Sequence, residues 1–268
     1  MDTQVLLTST AKVVNTLMDF ERVFCFGCSW THYRWPTWAD MCRYGTDKPV
    51  YNWGLRGIGN VGILHRMLEA DLKHQFTDRD LILVQWTTWT REDRYFDKWQ
   101  AGGAVFNNNF YDKAFVNKYW SWNNDIIKNA TAIITANRMF KIAYQYTFHP
   151  FPVSPDFDYT DSLTKQEILS FYRTNLPAVP VFPQNLNTDF GKNCLDGHAD
   201  INAHLKFFDQ NIKPLGFDLK DNHLRLAVLH DSISQQLDKK QSHNQQWAVI
   251  KELVHKFDKT IDGPTLGF

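Results

Sequence analysis

The chain lacks any run of about 20 apolar residues, so no membrane-spanning helix is expected. It lacks an excess of charge of either sign: Lys+Arg and Asp+Glu are 29 each, so the formal net charge is zero. A generally basic nucleic-acid binder is thereby disfavoured. Cysteine is scarce, with four in 268 residues, too few for a disulfide framework. No internal repeat and no long low-complexity segment is visible, and no Gly-Lys-Ser/Thr phosphate loop occurs. Residues 1–7 have neither a basic start nor a long apolar stretch, so a secretory signal is not expected. The expected location is the cytoplasm or a virion.

What is present is apolar and aromatic. Aromatic residues make up 15% of the chain, which excludes disorder over most of its length, because that much ring surface must be buried. At this length one large domain, or a domain with an appendage, has ample core. Residues 22–26 and 81–84 are continuous apolar runs, the pattern of strands buried on both faces. Residues 50–53 and 140–146 are further strand candidates. Residues 8–20, 35–43, 60–74 and 109–137 carry helical spacing, and 148–162 reads as a loop. Residues 101–113, polar and glycine-bearing, read as a loop that could serve as a lid. Strands alternating with helices predict an α/β fold with a mostly parallel sheet. After residue 217 the pattern becomes two polar amphipathic helices, 221–239 and 243–258. The expected division is an α/β domain over 1–216 and a helical extension over 217–268, packed on it or used as an interaction arm.

In open α/β sheets, sites form at the carboxyl ends of strands. Four segments fall there: 27–31, 54–60, 85–92 and His149-Pro150. A fifth polar cluster runs from Asp196 to His204. Ser29 follows a buried strand and Gly27, a turn that exposes a hydroxyl near backbone N–H groups. A serine becomes a nucleophile only beside a base. His198 is the best candidate, with Asp196 two residues earlier to orient its ring. Singly, such residues are usually helix caps or turn formers. His204 is an alternative base, but its apolar neighbours Leu205, Phe207 and Phe208 mark it as structural.

The combination resembles the SGNH (GDSL-type) hydrolase superfamily over residues 22–92 and 190–208. Residues 23–31, Val-Phe-Cys-Phe-Gly-Cys-Ser-Trp-Thr, are similar to its first block, with Cys28 in place of the usual aspartate. Members from phages and environmental bacteria often carry such a Phe-Gly-Cys-Ser stretch. Asn52 to Asn60 resembles the second block, and Leu83 to Thr88 falls where the family has Gly-x-Asn-Asp. Asp196-Gly197-His198-Ala199 is similar to the last block, with a shorter spacing and no following proline. The resemblance implies a three-layer α/β/α sandwich of the flavodoxin-like kind. It also implies Ser29 as nucleophile, His198 as base and Asp196 as its orienter. The Ser29 and Gly57 amides would form the oxyanion hole. Because the family's asparagine donor is missing, Thr87, Gln85 or Asn60 would stand in. The implied chemistry is hydrolysis of an acyl ester, for instance an O-acetyl group on a glycan. The alternatives are acyl transfer to another acceptor, and a catalytically degenerate binding or structural module such as a phage particle component.

Nine of the ten tryptophans precede residue 123. Trp30, Trp35, Trp86 and Trp89, with Arg91, flank the candidate loops and are the expected substrate contacts, since aromatic rings stack on sugar faces. Core packing is the competing reading for these rings. The expected partner is a small-molecule or glycan acyl ester, with homo-oligomer or virion assembly as the macromolecular alternatives. Neither metal nor cofactor is expected. Cys25-Phe26-Gly27-Cys28 lies at a strand end as a redox pair would, but Cys25 sits inside the apolar run. Zinc lacks a second ligand pair at the usual spacing. The glycines at 57, 59 and 62 do not fit a dinucleotide fingerprint.

Overall fold

A computed structural model of the chain describes residues 20–107, 109–147, 170–172, 174–181, 190, 194 and 196–259. The helix expected over 8–20 lies, except for its last residue, outside the described residues. So do the loop 148–162 and His149-Pro150.

Four parallel strands form the central sheet in the order β2-β1-β3-β6. These are β1 (Arg22–Phe26), β2 (Val50–Asn52), β3 (Asp80–Trp86) and β6 (Ile142–Thr147). All seven residues of β3 are buried, and so are four of the five in β1. That is why both read as unbroken apolar runs rather than alternating ones. Arg22 pairs with Asp80 in register across β1 and β3. Its guanidinium forks onto that carboxylate at 2.7 and 2.6 Å and also donates to the carbonyls of His74 and Gln75. One side chain thereby ties two strand starts to the end of the intervening helix.

The helices are α1 (Trp38–Tyr44), α2 (Asn60–His74), α3 (Lys113–Tyr119), α4 (Trp122–Met139), α5 (Ile201–Phe207), α6 (Asp221–Gln236) and α7 (His243–Asp258). Six of them pack in two groups, α2 with α4, and α5 with α1, α6 and so α7. Helix α2 spans the residues its periodicity predicts. The helical stretch expected over 109–137 is instead two helices. The break falls at Trp120 and Ser121, where Trp120 Nε1 donates to Asp125 Oδ2 at 2.8 Å and turns the chain back onto the new first turn.

A second departure is the hairpin of β4 (Arg91–Tyr95) and β5 (Trp99–Ala104), which occupies part of the expected loop 101–113. Asp93 on this hairpin accepts from the amides of Gly59 and Gly62 at 2.8 and 2.9 Å, capping the start of α2. Anionic oxygens at a helix N-terminus satisfy its orphan donors. A Cβ on Gly59 would lie 2.8 Å from Asp93 Oδ2 and 3.1 Å from the Arg91 carbonyl. The glycine-rich stretch is thus explained by close approach of the hairpin.

The C-terminal helices are packed rather than free. Leu226, Leu229 and Ile233 of α6, and Ile250 and Phe257 of α7, belong to the same buried cluster as β1 and β3. Among the described residues no helix is long and apolar enough to cross a membrane.

Candidate active site

Strand β1 ends one residue before Gly27, and its in-register partner Val84 is followed by Gln85. Gln85 is the single polar residue within the apolar body of β3, and it is fully buried. Its Oε1 accepts from Thr31 Oγ1 at 3.0 Å and from the Cys28 amide at 3.4 Å, and its Nε2 donates to the Trp86 carbonyl. Buried polar groups need partners, and here one amide shapes the whole turn. Gly27 is required by space: a Cβ there would lie 2.1 Å from Thr31 Oγ1 and 3.0 Å from Gln85 Cβ. Gln85 therefore supports the Ser29 turn, which corrects the expectation that it replaces the missing asparagine donor.

Ser29 and the Asp196–His198 segment come together across 169 residues of chain. Ser29 Oγ lies 3.0 Å from His198 Nε2, and His198 Nδ1 lies 2.7 Å from Asp196 Oδ1. The His198 amide also donates to Asp196 Oδ1 at 3.1 Å, so the two-residue spacing folds into a tight loop. With Nδ1 protonated toward the carboxylate, Nε2 is left to accept from the serine hydroxyl. Ser29 is 4% exposed, whereas the His198 side chain is 34% exposed, so the ring forms the open side of the pair. Burial pushes the Asp196 carboxyl up. Hydrogen bonds from His198 and Tyr33 outweigh that and hold it at about 2, ionised at every ordinary pH.

The loop carrying His198 is held from several sides. Trp35 Nε1 donates to the Ala199 carbonyl at 2.8 Å. Asp200 caps α5 by accepting from the Ala203 amide at 2.8 Å. Its other oxygen lies 3.1 Å from His230 Nε2 on α6, and His230 Nδ1 lies 3.2 Å from Asp231. Burial lowers the His230 pKa, but the two aspartates prevail and raise it above its ordinary 6.5. The stabilisation is then complete below 6.5 and fades as pH rises through the raised value. His230→Gln should lower the urea midpoint more at about pH 5 than at about pH 8. An equal loss at both would mean that the charge on His230 contributes nothing.

The second loop is pinned to the Ser29 turn by backbone bonds from Trp53 to Cys25 and from Leu55 to Gly27, at 2.8 and 2.9 Å. Gly57 adopts φ +79°, a conformation open to glycine, and its carbonyl accepts from Gly103 of the hairpin. Asn60 and Thr87 do meet, but through the clasp of a side chain on a backbone. Asn60 Nδ2 donates to the Thr87 carbonyl at 3.1 Å, and the Thr87 amide donates to Asn60 Oδ1 at 2.8 Å. Asn60, expected as an oxyanion donor, thus fastens the loop after β3 to the start of α2. The Thr87 hydroxyl is buried and has no hydrogen-bond partner among the described residues.

The aromatic expectations need correction. Trp35, Trp86 and Trp89 are 2%, 0% and 3% exposed, so these rings pack in the core instead of lining an open surface. Trp86 Nε1 donates to Gln145 Oε1, a satisfied core indole. Trp30 is half-buried, edge-on to His204. Arg91 opens the hairpin, pairs with Ala104 and packs against Gly59 at the start of α2. His204 is 1% exposed, and burial, with a smaller contribution from His198, pushes its pKa down to about 3, so it stays neutral inside the core. Cys25, Cys28 and Cys42 are all buried and unpaired as disulfides. Cys28 Sγ points at Gln85 Oε1, 3.5 Å away. Among the described residues no three His, Cys, Asp or Glu side chains cluster as a metal site.

Sequence reasoning missed Tyr33, whose hydroxyl donates to Asp196 Oδ2 at 2.5 Å. It lies only four residues after Ser29, but nothing in its local pattern marks a contact 163 residues away. Compared with models of known protein families the sequence matches none, and no curated protein matches it either.

Proposed function

We propose that the protein is a serine hydrolase of the SGNH type, cleaving an acyl ester through Ser29, His198 and Asp196. The observation that carries this reading is the unbroken chain of contacts, 3.0 Å from Ser29 Oγ to His198 Nε2 and 2.7 Å from His198 Nδ1 to Asp196. Both lie within the reach a nucleophile and its base require. In the proposed reaction His198 takes the Ser29 proton as Oγ bonds to the ester carbonyl carbon. The tetrahedral oxyanion collapses, the carbon–oxygen bond to the alcohol breaks, and His198 returns the proton to that alcohol. Water then attacks the acyl-serine by the same route, releasing the acid and restoring the hydroxyl. The ionised Asp196 holds the imidazole tautomer and stabilises its transient positive charge.

The Ser29 and Gly57 amides are the proposed oxyanion donors, with the buried Thr87 hydroxyl as the third. Preorganised donors of this kind supply about a hundred- to thousandfold each. The architecture proposed is the three-layer α/β/α sandwich. The strand order supports it, since the crossovers on the two sides of β1 place their helices on opposite faces when both are right-handed. The same order puts the switch point between β1 and β3, where Ser29 and Thr87 emerge. With three of the four tryptophans in the core, the argument for a glycan loses its support, and the proposal is for acyl esters in general.

A fluorophosphonate probe tests this reading. It should label the wild-type protein at one site and leave folded Ser29→Ala unlabelled. A folded wild-type protein that takes no label would point to a binding module that has kept the arrangement without the reaction.

A further inference from the structure

We propose that Tyr33 is a positioning residue that sets the His198–Asp196 pair against Ser29, an inference resting on the hydrolase reading above. Tyr33 lies in the same β1–α1 loop as Ser29, just past its turn, yet its contacts reach the other two loops of the site. Its hydroxyl donates to Asp196 Oδ2, the oxygen that His198 does not use, at 2.5 Å. Its ring stacks on the His198 imidazole, with centroids 4.1 Å apart and planes 21° from parallel. The Arg56 guanidinium, next in sequence to Gly57, lies 5.9 Å from the same ring centroid. Trp35, which anchors the Ala199 carbonyl, meets the Tyr33 ring edge-on at 4.6 Å. One phenol therefore touches the acid, the base and a side chain of the second loop, and it is braced by the indole that holds the third.

Each contact has a separate physical consequence. An O–H donor on the second carboxylate oxygen fixes the rotation of Asp196, so that Oδ1 faces Nδ1 squarely. It also draws charge away from Oδ1 and moderates the pull of the carboxylate on the imidazole proton. The π face beside the ring favours the imidazolium that forms during the reaction. A flat neighbour at 4.1 Å also limits the ring's swing, so Nε2 stays on Ser29 Oγ. Burial and then the Asp196 hydrogen bond hold the Tyr33 phenol well above its ordinary pKa, so it remains a donor throughout the neutral range. Among the described residues, Arg34, Arg56 and the buried His204 are further charged or titratable groups that act on the pair or on Tyr33.

Two variants separate these effects. Tyr33→Phe keeps the ring, its stack and the Arg56 contact, and removes only the hydroxyl. Tyr33→Leu removes the hydroxyl, the stack and the Arg56 contact together. On a small aryl acetate, Tyr33→Phe should lower kcat about tenfold with KM little changed, the size expected for a hydrogen bond to a charged group. Tyr33→Leu should lose about a hundredfold. Without its competing donor, Asp196 pulls harder on the imidazole proton. The acid limb of kcat/KM should therefore move to higher pH in Tyr33→Phe, and the low-field proton resonance of the Nδ1–H···Asp196 bond should move further downfield. A scaffold role alone would lower the denaturation midpoint while leaving both the acid limb and the proton resonance in place, and that result overturns the proposal. The resonance does not depend on turnover. If it moves in Tyr33→Phe while wild type neither labels nor hydrolyses, the hydrolase reading fails and the coupling of Tyr33 to the pair stands. If it does not move, the positioning role fails whatever the wild type does.

Discussion

Ser29→Ala is expected to lower kcat on a small aryl ester by about a millionfold, and Asp196→Asn by about ten-thousandfold. In the proposed mechanism the first removes the atom that would become acylated, so only binding and oxyanion stabilisation would remain. The second leaves every heavy atom nearly in place. Its effect arises from protons: Asp196 is an acceptor toward both His198 Nδ1 and Tyr33, and an amide in its place presents an N–H to one of them. Facing the imidazole, that N–H would leave Nδ1 as the acceptor and put the ring proton on Nε2, where the Ser29 hydroxyl needs a lone pair. Single-turnover measurement of the acylation burst separates the two variants, since Asp196→Asn should still acylate slowly and Ser29→Ala not at all. A folded Asp196→Asn that keeps a tenth of wild-type activity would sink the three-residue arrangement. A surviving Ser29→Ala would move the nucleophile elsewhere.

Trp35→Ala should destabilise the fold by about 3–5 kcal/mol, the range for removing a large buried aromatic side chain. The ring is 2% exposed and packs edge-on against Tyr33 and Phe190. Truncation opens a cavity under the His198 loop and leaves the Ala199 carbonyl without its donor. Trp35→Phe retains most of the packing and should lose only about 1–3 kcal/mol, through that carbonyl. Urea titrations read both, as lowered midpoints with unchanged slopes. Had Trp35 been a surface platform for ligand, the alanine variant would keep its midpoint. A wild-type midpoint would therefore restore the surface reading of this ring.

The parts of the fold visible in the sequence are those whose side chains answer to local geometry. Strands β1 and β3 are buried on both faces, and burial on both faces leaves an unbroken apolar run. Helix α2 shows through its period because only one side meets the core. The hairpin of β4 and β5 shows no strand pattern in the sequence, and its end falls within the expected loop 101–113, because its residues do not alternate. Arg91, Glu92, Asp93 and Arg94 are charged on both faces, and the hairpin is held by Asp93 on the α2 start and by the Gly103 amide on the Gly57 carbonyl. Such contacts leave no periodic trace. The sequence leaves the tryptophans open between ligand contact and core packing for a related reason. An indole carries the same letter whether it stacks on a ligand or hydrogen-bonds a loop carbonyl, and only neighbours distant in sequence decide which.

Composition and spacing by themselves determined the alternation of strands and helices with a mostly parallel sheet, the two apolar strands and the residues able to carry chemistry. They did so because periodicity and residue type are properties of a short stretch of chain. Tertiary structure alone decided that Ser29 Oγ lies 3.0 Å from His198 Nε2, that Asn60 clasps a backbone instead of facing a substrate, and that Tyr33 reaches Asp196. Those are distances between groups separated by tens to more than a hundred residues. They follow from the register of parallel strands and the packing of loops above it, and no local pattern encodes either.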